Sequence, residues 1–408
     1  MKVAIVGPIA TADVAHLLGS AAATAPRGYG GAPILATLIE SLLERGHTVV
    51  GITTDVEPDG VRSCVTVRGD RLEMIYCPQR PRAFWPQGGS LGRAADLFSQ
   101  ERKHLRAAIR QAQPDVVHAH WLYEFGWAAL QSGVPCLITA HDSPRVILRY
   151  MPNLYRLVRL VMAHWVARRA ARLTAVSPYM ASELRRLTRS PISVIPNPLP
   201  RDTERSLRGG ADPSMRGGAA RIVMILNGWA VHKNGAAALR AFAEVRRAHP
   251  SATLNVFGAD WGPGEAAHRF ASEHGLADGV VFRGPIDHAQ LMQELPHFDL
   301  LLHPALEESF GTAIAEAMAL GVPVVAGAHS GAVPWVVADA GVLVDVRDPS
   351  AMAAAMLQLL RDPAARRRLG DAGRRSVLER FSRSAVAAAT EAIYLELLPR
   401  PTTRMVPA

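Results

Sequence analysis

The chain has 408 residues, which is more than one hydrophobic core usually supports, so we expect two domains. Its hydrophobic content of 49% and charged content of 20% exclude an intrinsically disordered chain. The net charge of +9 comes from arginines scattered over predicted helices, without basic runs or interleaved aromatic residues, so we predict no nucleic-acid binding.

The cysteines and the apolar segments indicate a cytoplasmic protein. Cys64, Cys77 and Cys136 are far apart and lack metal-ligand spacing, which predicts reduced thiols. The apolar run at residues 3–6 ends at Gly7 and is typical of a first strand rather than a signal peptide. No run of about 18 apolar residues predicts a membrane span.

In the first half of the chain, short apolar runs alternate with segments of helical periodicity. The predicted strands are residues 2–6, 48–53, 115–118, 135–140, 173–176 and 192–195. The predicted helices are residues 32–45, 99–112, 153–170 and 178–187. This alternation predicts a parallel sheet with helices on both faces.

The second half repeats this pattern after a segment, residues 197–220, that is rich in Arg, Gly and Ser and is predicted to be a linker. The predicted strands are residues 221–226, 253–257, 280–282, 298–302, 323–325 and 341–344. The predicted helices are residues 235–248, 263–274, 288–295, 312–320, 350–361 and 384–398. We therefore expect an α/β protein with two Rossmann-like, doubly wound sheets facing a central cleft, where such sheets bind ligands.

Residues 303–327 carry the most informative pattern of the chain. Glu308 and Glu316 are eight positions apart, and the small-residue turn at residues 309–312 opens a helix between them. Carboxylates accept hydrogen bonds from sugar hydroxyls, and a helix N-terminus attracts a diphosphate. The pattern suits a sugar nucleotide, although an ordinary amphipathic helix between two strands has the same spacing.

Three other segments are candidates for binding. The glycine-rich loop at residues 27–31 precedes a helix, but Pro33 breaks the dinucleotide-binding pattern, so a plain turn stays open. His141 ends a predicted strand and would face the cleft, unless it is a structural histidine. Lys233 is one of three lysines in the chain and precedes a helix, where its point charge could neutralise a phosphate.

Weaker candidates lie in the first half. His118 and His120 share a strand face, but no third metal ligand is evident, so we predict no metal and assign His120 and Trp121 to an acceptor. Trp85, in the aromatic loop at residues 78–89, could stack on a sugar or belong to a plain surface loop. The basic helix at residues 153–172 is predicted to pack on the sheet, and weak association with an anionic membrane surface stays open.

The 303–327 segment resembles the signature of family-4 retaining glycosyltransferases, which have the GT-B fold. That signature has two Glu separated by seven residues, with Phe-Gly after the first and Glu-Ala-Met-Ala around the second. The corresponding residues here are 308–311 and 316–319. Further matching segments are Gly30-Gly31 and residues 119–121, 139–142, 175–180, 194–199, 232–235 and 342–349.

The resemblance implies transfer of a sugar from a nucleotide-diphosphate sugar to a hydroxyl of a hydrophilic small molecule or glycan. A UDP-sugar is the expected donor, because this donor is common in the family. It implies retention of configuration without metal or cofactor. It also implies an N-terminal acceptor domain at residues 1–200, a donor domain at 201–383, and a C-terminal helix with tail at 384–408 that crosses back onto the first domain.

The resemblance also assigns roles to residues. Glu316 would bind the ribose and Glu308 the transferred sugar, while Lys233 would stabilise the departing diphosphate and His141 would orient the sugar. The expected catalytic residues are His141, Lys233 and Glu308. The expected donor-binding residues are Gly30, Gly31, Arg283, Ser309, Phe310, Gly311, Thr312 and Glu316, and the expected acceptor-binding residues are Trp85, His120 and Trp121.

One departure from the family pattern keeps other interpretations open. An arginine usually precedes the lysine, but Gly228 and Trp229 stand there, so Arg283 or Thr312 would have to supply the second phosphate contact. A sugar-nucleotide epimerase or phosphorylase with a similar two-domain architecture is one alternative. A sugar-nucleotide-binding protein that has lost catalysis is another. The sequence names neither base, sugar nor acceptor.

Overall fold

The computed structural model describes residues 1–30, 32–55, 62–85, 91–208 and 219–398. The chain divides into two units. Unit 1 consists of Met1–Val176, Ala181–Ile195 and the segment that starts at Arg383, and unit 2 consists of Ser177–Met180 and Pro196–Ser382. Both units are α/β with a predominantly parallel sheet, which confirms the predicted fold class.

Unit 1 is built on an eight-stranded sheet with the order β3-β4-β2-β1-β5-β6-β7-β8. The strands are β1 (Lys2–Val6), β2 (Thr48–Asp55), β3 (Val65–Arg68), β4 (Glu73–Pro78), β5 (Val116–His120), β6 (Cys136–Ala140), β7 (Leu173–Ala175) and β8 (Ile192–Val194). All neighbours are parallel except β3 and β4. Neither of these two strands was predicted: β3 is a half-exposed edge strand without an apolar run, whereas β4 was missed although it is buried.

The helices of unit 1 are α1 (Thr11–Leu18), α2 (Pro33–Glu44), α3 (Ser99–Ala112), α4 (Glu124–Ser132), α5 (Pro144–Tyr150), α6 (Leu154–Arg169) and α16 (Arg383–Leu397). Helix α7 (Pro178–Arg185) begins in unit 2 and continues in unit 1. Helix α16 packs on α2, and its Tyr394 is buried in the core with Ile39 and Leu42. Glu391 of α16 binds His47 at 3.0 Å and Arg45.

Unit 2 is built on a six-stranded parallel sheet with the order β11-β10-β9-β12-β13-β14. The strands are β9 (Arg221–Ile225), β10 (Thr253–Phe257), β11 (Val280–Gly284), β12 (Leu300–His303), β13 (Val324–Gly327) and β14 (Val342–Val344). The order in which strands are added to the sheet reverses between β9 and β12, which are central, parallel neighbours. In open α/β sheets, ligands bind at such a switch point, beyond the carboxyl ends of the strands.

The helices of unit 2 are α8 (Arg201–Arg208), α9 (Gly235–Ala248), α10 (Ala266–Glu273), α11 (His288–Glu294), α12 (Thr312–Ala319), α13 (Val333–Val337), α14 (Pro349–Arg361) and α15 (Pro363–Phe381). Helix α8 lies in the predicted linker, whose residues 209–218 are outside the described residues. Helix α15 was not predicted, but Pro363 suits its first position and Asp362 caps Ala365 N. None of the helices in the described ranges combines the length and apolarity needed to cross a bilayer.

Candidate active site

Lys233 and Glu308 form the centre of the candidate site in unit 2. Lys233 ends a short 3₁₀ helix, Val231–Lys233, in the loop after β9, and Glu308 lies in the loop after the neighbouring strand β12. The Lys233 Nζ donates to Glu308 Oε1 at 2.9 Å, and His303 Nε2 lies 3.3 Å from the same oxygen. Parallel strands place both loops at one edge of the sheet, so two residues distant in sequence meet there.

The surroundings of Glu308 keep its carboxylate ionised. Burial raises the pKa of Glu308, but the hydrogen bond from His303 and the charge of Lys233 outweigh it and lower that pKa to about 2. The side chains of Lys233 and Glu308 remain 21% and 18% exposed, so solvent still reaches the pair. The site therefore presents the Lys233 amine and an ionised Glu308 carboxylate, both accessible to a ligand.

The turn from Glu308 to Thr312 is held from several sides. Glu308 O accepts from Ala332 N at 2.9 Å, and Ser309 O accepts from Ser177 Oγ at 2.7 Å. Phe310 is buried against Phe381, with ring centroids 5.1 Å apart. The turn is thus fixed by its neighbours before any ligand binds, and the side chain of Phe310 serves as its anchor.

Gly331 allows the close approach that supports this turn. Its φ is +62°, and a Cβ at this position would lie 2.4 Å from Glu308 O and 2.8 Å from Glu307 Oε1. Any other L residue would therefore be strained by its backbone and would push the turn away. Glu308 can therefore occupy its observed position only because residue 331 is a glycine.

The N-terminus of α12 follows the turn directly. Gly311 precedes the helix with φ +92°, and no side chain caps it, while Thr312 is the first helical residue. The first N–H groups of a helix have no acceptor within the helix, and they carry the positive end of the helix dipole. Together with Lys233, this N-terminus forms a positive surface suited to an anion such as a diphosphate.

Glu316, one turn into α12, is paired with a histidine that the sequence analysis did not single out. His288 Nε2 lies 2.8 Å from Glu316 Oε1, and His288 Nδ1 lies 3.4 Å from Asp202 Oδ2. Burial lowers the pKa of His288, but its hydrogen bonds to Glu316 and Asp202 outweigh this and raise it to about 9. His288 is therefore a cation at neutral pH that holds one oxygen of the Glu316 carboxylate.

The loop that carries Lys233 is fixed by Asn234. With φ +56°, Asn234 precedes α9, and its Nδ2 donates to Pro304 O at 3.1 Å and to Val346 O at 2.7 Å. These bonds tie the loop after β9 to the loops after β12 and β14. Leu306 N adds a bond to His232 O at 2.8 Å. The residues on either side of Lys233 therefore bind backbone groups of the loop that carries Glu308, and these bonds position the lysine.

The position where an arginine was expected is filled by aromatic packing. Trp229 packs edge-on against Trp261, with ring centroids 5.1 Å apart, and also contacts Phe270. Gly228 has φ +91°, and its N donates to Ala259 O at 3.0 Å. This loop therefore has a structural role where the family pattern has a basic side chain.

Arg283 lies apart from the Lys233–Glu308 pair. Its strand, β11, is the edge strand, and β10 and β9 separate it from β12. The Arg283 guanidinium donates to Glu294 Oε2 at 2.8 Å and lies over the ring of Phe257. These contacts hold the Arg283 side chain on the outer part of the sheet.

In unit 1, the structure brings together His120, Trp121 and His141. His120 Nδ1 lies 2.9 Å from His141 Nε2, and the Trp121 ring lies 4.4 Å from that of His141. His118 contacts Tyr394 and Thr139, each at 2.6 Å. Burial lowers the pKa of His118 to about 3 and that of His120 well below its usual value, so both are neutral at pH 7.

The remaining predicted site residues of unit 1 are Gly30, Gly31 and Trp85, and the structure describes only two of them. Gly30 has open space where a side chain would stand, and Gly31 is outside the described residues. Tyr29 N donates to Ile9 O at 3.1 Å, which folds the loop back onto the segment after β1. Trp85 is 76% exposed, and residues 86–90 of its loop are outside the described residues.

Four residues of unit 2 contribute to the site and were not predicted as site residues: Asp202, Asn234, His288 and His303. His303 gave a signal, because it ends β12 directly before the paired acids. Asn234 follows the lysine directly before a predicted helix, and Asn is one of the residues that tolerate the left-handed conformation seen there. Asp202 and His288 gave none, because His288 reaches Glu316 from 28 positions away and Asp202 reaches His288 from 86 positions away.

Family models match both halves of the chain. The model described as Glycosyl transferases group 1 matches residues 219–376, and the model described as Glycosyltransferase Family 4 matches residues 29–203. Two curated relatives show similar identity. Glycogen synthase of Mycobacterium tuberculosis is 31% identical over 70% of both chains, and D-inositol 3-phosphate glycosyltransferase 2 of Catenulispora acidiphila is 33% identical over 69% of this chain and 70% of its own.

Solved structures show the same fold. Sucrose-phosphate synthase from Thermosynechococcus elongatus has a TM-score of 0.73 and 22% identity over 97% of this chain and 98% of its own. Anabaena HepE, solved with UDP-glucose, has a TM-score of 0.65 and 16% identity over 97% and 100%. The architecture is that of GT-B glycosyltransferases. This chain belongs to glycosyltransferase family 4 and is a glycosyltransferase.

Proposed function

We propose that the protein transfers a sugar from a nucleotide-diphosphate sugar to a hydroxyl of a hydrophilic small molecule or glycan, with retention of configuration. The observation that carries this proposal is the Lys233–Glu308 pair at 2.9 Å beside the uncapped N-terminus of α12. A cation and a helix N-terminus stabilise a departing diphosphate, and the adjacent carboxylate accepts hydrogen bonds from sugar hydroxyls.

The donor lies along the loop from Glu308 to Glu316 in this proposal. The backbone N–H groups at residues 310–312, with Thr312, bind the diphosphate, and Lys233 neutralises its charge. Glu308 binds hydroxyls of the transferred sugar. Glu316 holds the ribose through the carboxylate oxygen that is not bonded to His288. The buried pairing of Glu316 supports this role, because a fixed carboxylate loses little freedom when it binds a hydroxyl.

The reaction replaces one bond to the anomeric carbon by another on the same face of the sugar. The bond to the β-phosphate oxygen breaks, the bond to the acceptor oxygen forms, and the acceptor proton passes to the departing phosphate. No residue acts as a nucleophile in this scheme. Lys233 and the α12 N-terminus lower the barrier by stabilising the negative charge on the phosphate. The nucleotide sugar is a co-substrate, and neither metal nor other cofactor takes part.

The nucleoside of the donor is proposed to be uridine. HepE, which shares the fold at 16% identity, was solved with UDP-glucose, and this supports a UDP-sugar without fixing it. The acceptor is less constrained, because one curated relative is named for glycogen and the other for D-inositol 3-phosphate, at nearly equal identity. For unit 1 we keep His141 as the residue that orients the transferred sugar, and His120, Trp121 and Trp85 as acceptor-binding residues.

A thermal-shift screen over nucleotide sugars, followed by product analysis, tests this proposal. A UDP-sugar should raise the melting temperature more than the corresponding GDP-, ADP- or dTDP-sugar, because a ligand that binds only the folded state stabilises it. The product formed with an acceptor should keep the anomeric configuration of the donor. Inversion, or conversion of the donor into an epimer without any acceptor, would contradict the proposal.

We also propose weak association of unit 1 with an anionic membrane surface. Leu154, Leu157 and Val161 recur along one side of α6 and are 61%, 46% and 51% exposed. The C-terminal end of α6 and the end of α7 line a groove of about 670 Å³ with Arg168, Arg185, Arg186 and Arg189. Exposed apolar side chains flanked by arginines are typical of helices that lie at a membrane interface.

Sedimentation with vesicles tests this association. We expect co-sedimentation with vesicles containing phosphatidylglycerol and not with pure phosphatidylcholine, and a loss on Leu157→Glu. Equal sedimentation with both lipids, or none with either, would contradict it. Donor stabilisation in solution is a separate measurement, so a failure here leaves the transferase proposal to its own test.

A further inference from the structure

Two of the three cysteines meet across neighbouring strands of unit 1. Val65 of β3 is paired with Tyr76 of β4 in an antiparallel ladder. Cys64 and Cys77 are therefore the next opposed pair, and their Sγ atoms are 3.5 Å apart. This proximity was not predicted, because Cys64 directly precedes β3 and Cys77 belongs to β4, and neither strand was predicted. Both thiols are free.

The register of this pair is compatible with a disulfide. Directly opposed residues of an antiparallel ladder have Cα atoms roughly 4.5–5.5 Å apart. Disulfides form between Cα atoms roughly 4.4–6.8 Å apart. The sulfur atoms therefore need only a side-chain rotation and a small closure, without a backbone rearrangement.

The two thiols differ in accessibility and in acidity. Cys64 is partly exposed, whereas Cys77 is buried. The hydrogen bond to Cys77 lowers the pKa of Cys64 despite its partial burial, and the same bond together with burial raises the pKa of Cys77. Cys64 is therefore the thiol that reacts first with an external reagent, and Cys77 is placed to react second.

We propose that Cys64 and Cys77 form a redox modification site, in which a small-molecule disulfide such as oxidised glutathione converts the two thiols into an intramolecular disulfide. The Cys64 thiolate attacks one sulfur of oxidised glutathione, giving a mixed disulfide and releasing one glutathione. Cys77 then attacks the Cys64 sulfur, and the second glutathione leaves. Two protein thiols are oxidised, one glutathione disulfide is reduced, and the two protons end on the two glutathione thiols.

The cross-link would lie next to the loop that carries Trp85. It would join the edge strand β3 to β4 one residue before Pro78, where the chain enters the loop that carries Trp85. It would lie on the opposite face of β4 from Tyr76, whose hydroxyl is 2.7 Å from Thr11 Oγ1. Residues 78–85 follow directly from the cross-linked strand.

Cys136 provides the internal control. It lies at the start of β6, and burial raises its pKa to about 11. At pH 8 its thiolate fraction is far below that of Cys64, and we expect reaction with oxidised glutathione at least about tenfold slower. No cross-link to Cys136 is expected.

Intact-mass measurement of the full chain after treatment with oxidised glutathione tests the proposal. The wild type should lose two hydrogens, regain them with dithiothreitol, and yield a peptide joined through Cys64 and Cys77 under non-reducing digestion. Cys77→Ser should accumulate one glutathione adduct at Cys64, Cys64→Ser should remain largely unmodified, and Cys136→Ser should behave as the wild type does. A wild type that keeps three free thiols, a cross-link through Cys136, or a Cys64→Ser variant that reacts as fast as Cys77→Ser would overturn it.

Discussion

The two sheets carry polar clusters of opposite character at their functional ends. In unit 2, Lys233 and His288 are cations, and each is paired with a carboxylate of the 308–316 segment. In unit 1, His118 and His120 are buried and neutral, and their partners are Tyr394, Thr139 and His141. The cluster in unit 2 thus holds fixed charge, whereas the histidine cluster in unit 1 holds uncharged hydrogen-bonding and aromatic groups.

This difference matches the chemistry that we propose for each unit. A diphosphate donor carries negative charge that grows as its bond to the sugar breaks, and fixed cations and helix N-termini stabilise that charge. A hydroxyl acceptor carries no charge, and neutral imidazoles can bind it without an ionic partner. The ion pairs of unit 2 also hold Glu308 and Glu316 in place, so that little reorganisation is needed when the donor binds.

The largest effect is expected from removing the charge of Lys233. Lys233→Ala should lower kcat by about 10²–10³, because one preorganised charged donor to the departing phosphate is lost. Lys233→Arg should recover part of this rate, since arginine restores the positive charge but its planar guanidinium differs in shape from the lysine ammonium. Steady-state kinetics with the donor found by the thermal-shift screen measures both.

The matched control for Lys233 is Lys103→Ala, an exposed lysine of α3 in unit 1. It removes the same charge from the chain and should leave kcat unchanged. Near-normal turnover of Lys233→Ala, or an equal loss in Lys103→Ala, would remove Lys233 from the role proposed here.

A smaller effect is expected at the second carboxylate. His288→Gln should raise the KM for the donor by about tenfold with little change in kcat, because a charge-assisted hydrogen bond to Glu316 is lost. In the wild type the donor KM should stay constant below pH 8 and rise as the pH passes about 9, where His288 loses its proton. A KM for His288→Gln that rises in the same way across this range would contradict the assignment.

The two units should also respond to pH in opposite directions. His288 has a raised pKa, so its contribution to the free energy of unfolding is full below its unfolded value of about 6.5 and is lost as the pH rises through about 9. His118 has a lowered pKa, so its contribution is full above about 6.5 and is lost as the pH falls through about 3.

Thermal denaturation as a function of pH separates the two contributions. Replacing His288 by Gln should flatten the decline on the alkaline side, whereas replacing His118 by Gln should flatten the decline on the acid side. Each variant is the control for the other. If His118→Gln changed the alkaline side instead, the contrast between a charged and a neutral cluster would be wrong.

The regular parts of the fold could be predicted from the sequence because their apolar periods are strong. Strand β10 and helix α9 match their predicted ranges, 253–257 and 235–248, residue for residue. Two of the missed elements have weak periods: β3 is half-exposed, and α15 is arginine-rich and begins at a proline. Strand β4 and helix α4 were also missed, although most of their residues are buried.

The candidate site could be predicted only where its residues lie in one segment. Glu308, Gly311, Thr312 and Glu316 belong to one loop and helix, so their spacing in the sequence carries information. The Lys233–Glu308 pair spans 75 positions and the Asp202–His288 pair spans 86, and only the folded chain brings them together. Strand order, which the sequence does not contain, decides which of these distant groups meet.

The smallest predicted effect concerns the support of the 308–312 turn. Ser177 Oγ donates to Ser309 O at 2.7 Å and accepts from Met180 N at 3.1 Å, and the residue is buried. Ser177→Ala would leave both backbone groups without this partner, at a cost of about 1–3 kcal/mol in the free energy of unfolding. Because the turn can shift once Ser309 O is released, donor affinity should fall about two- to fivefold.

Unit 1 offers a matched control for this last variant. Ser132 Oγ donates to Ala129 O at 2.7 Å and accepts from Val134 N at 3.2 Å, so it makes the same two kinds of bond away from the donor segment. Ser132→Ala should lower the melting temperature by a similar amount and leave donor affinity unchanged. If calorimetric titration found both variants equally weakened toward the donor, affinity would be following global stability, and the turn would have no separate role in holding the donor.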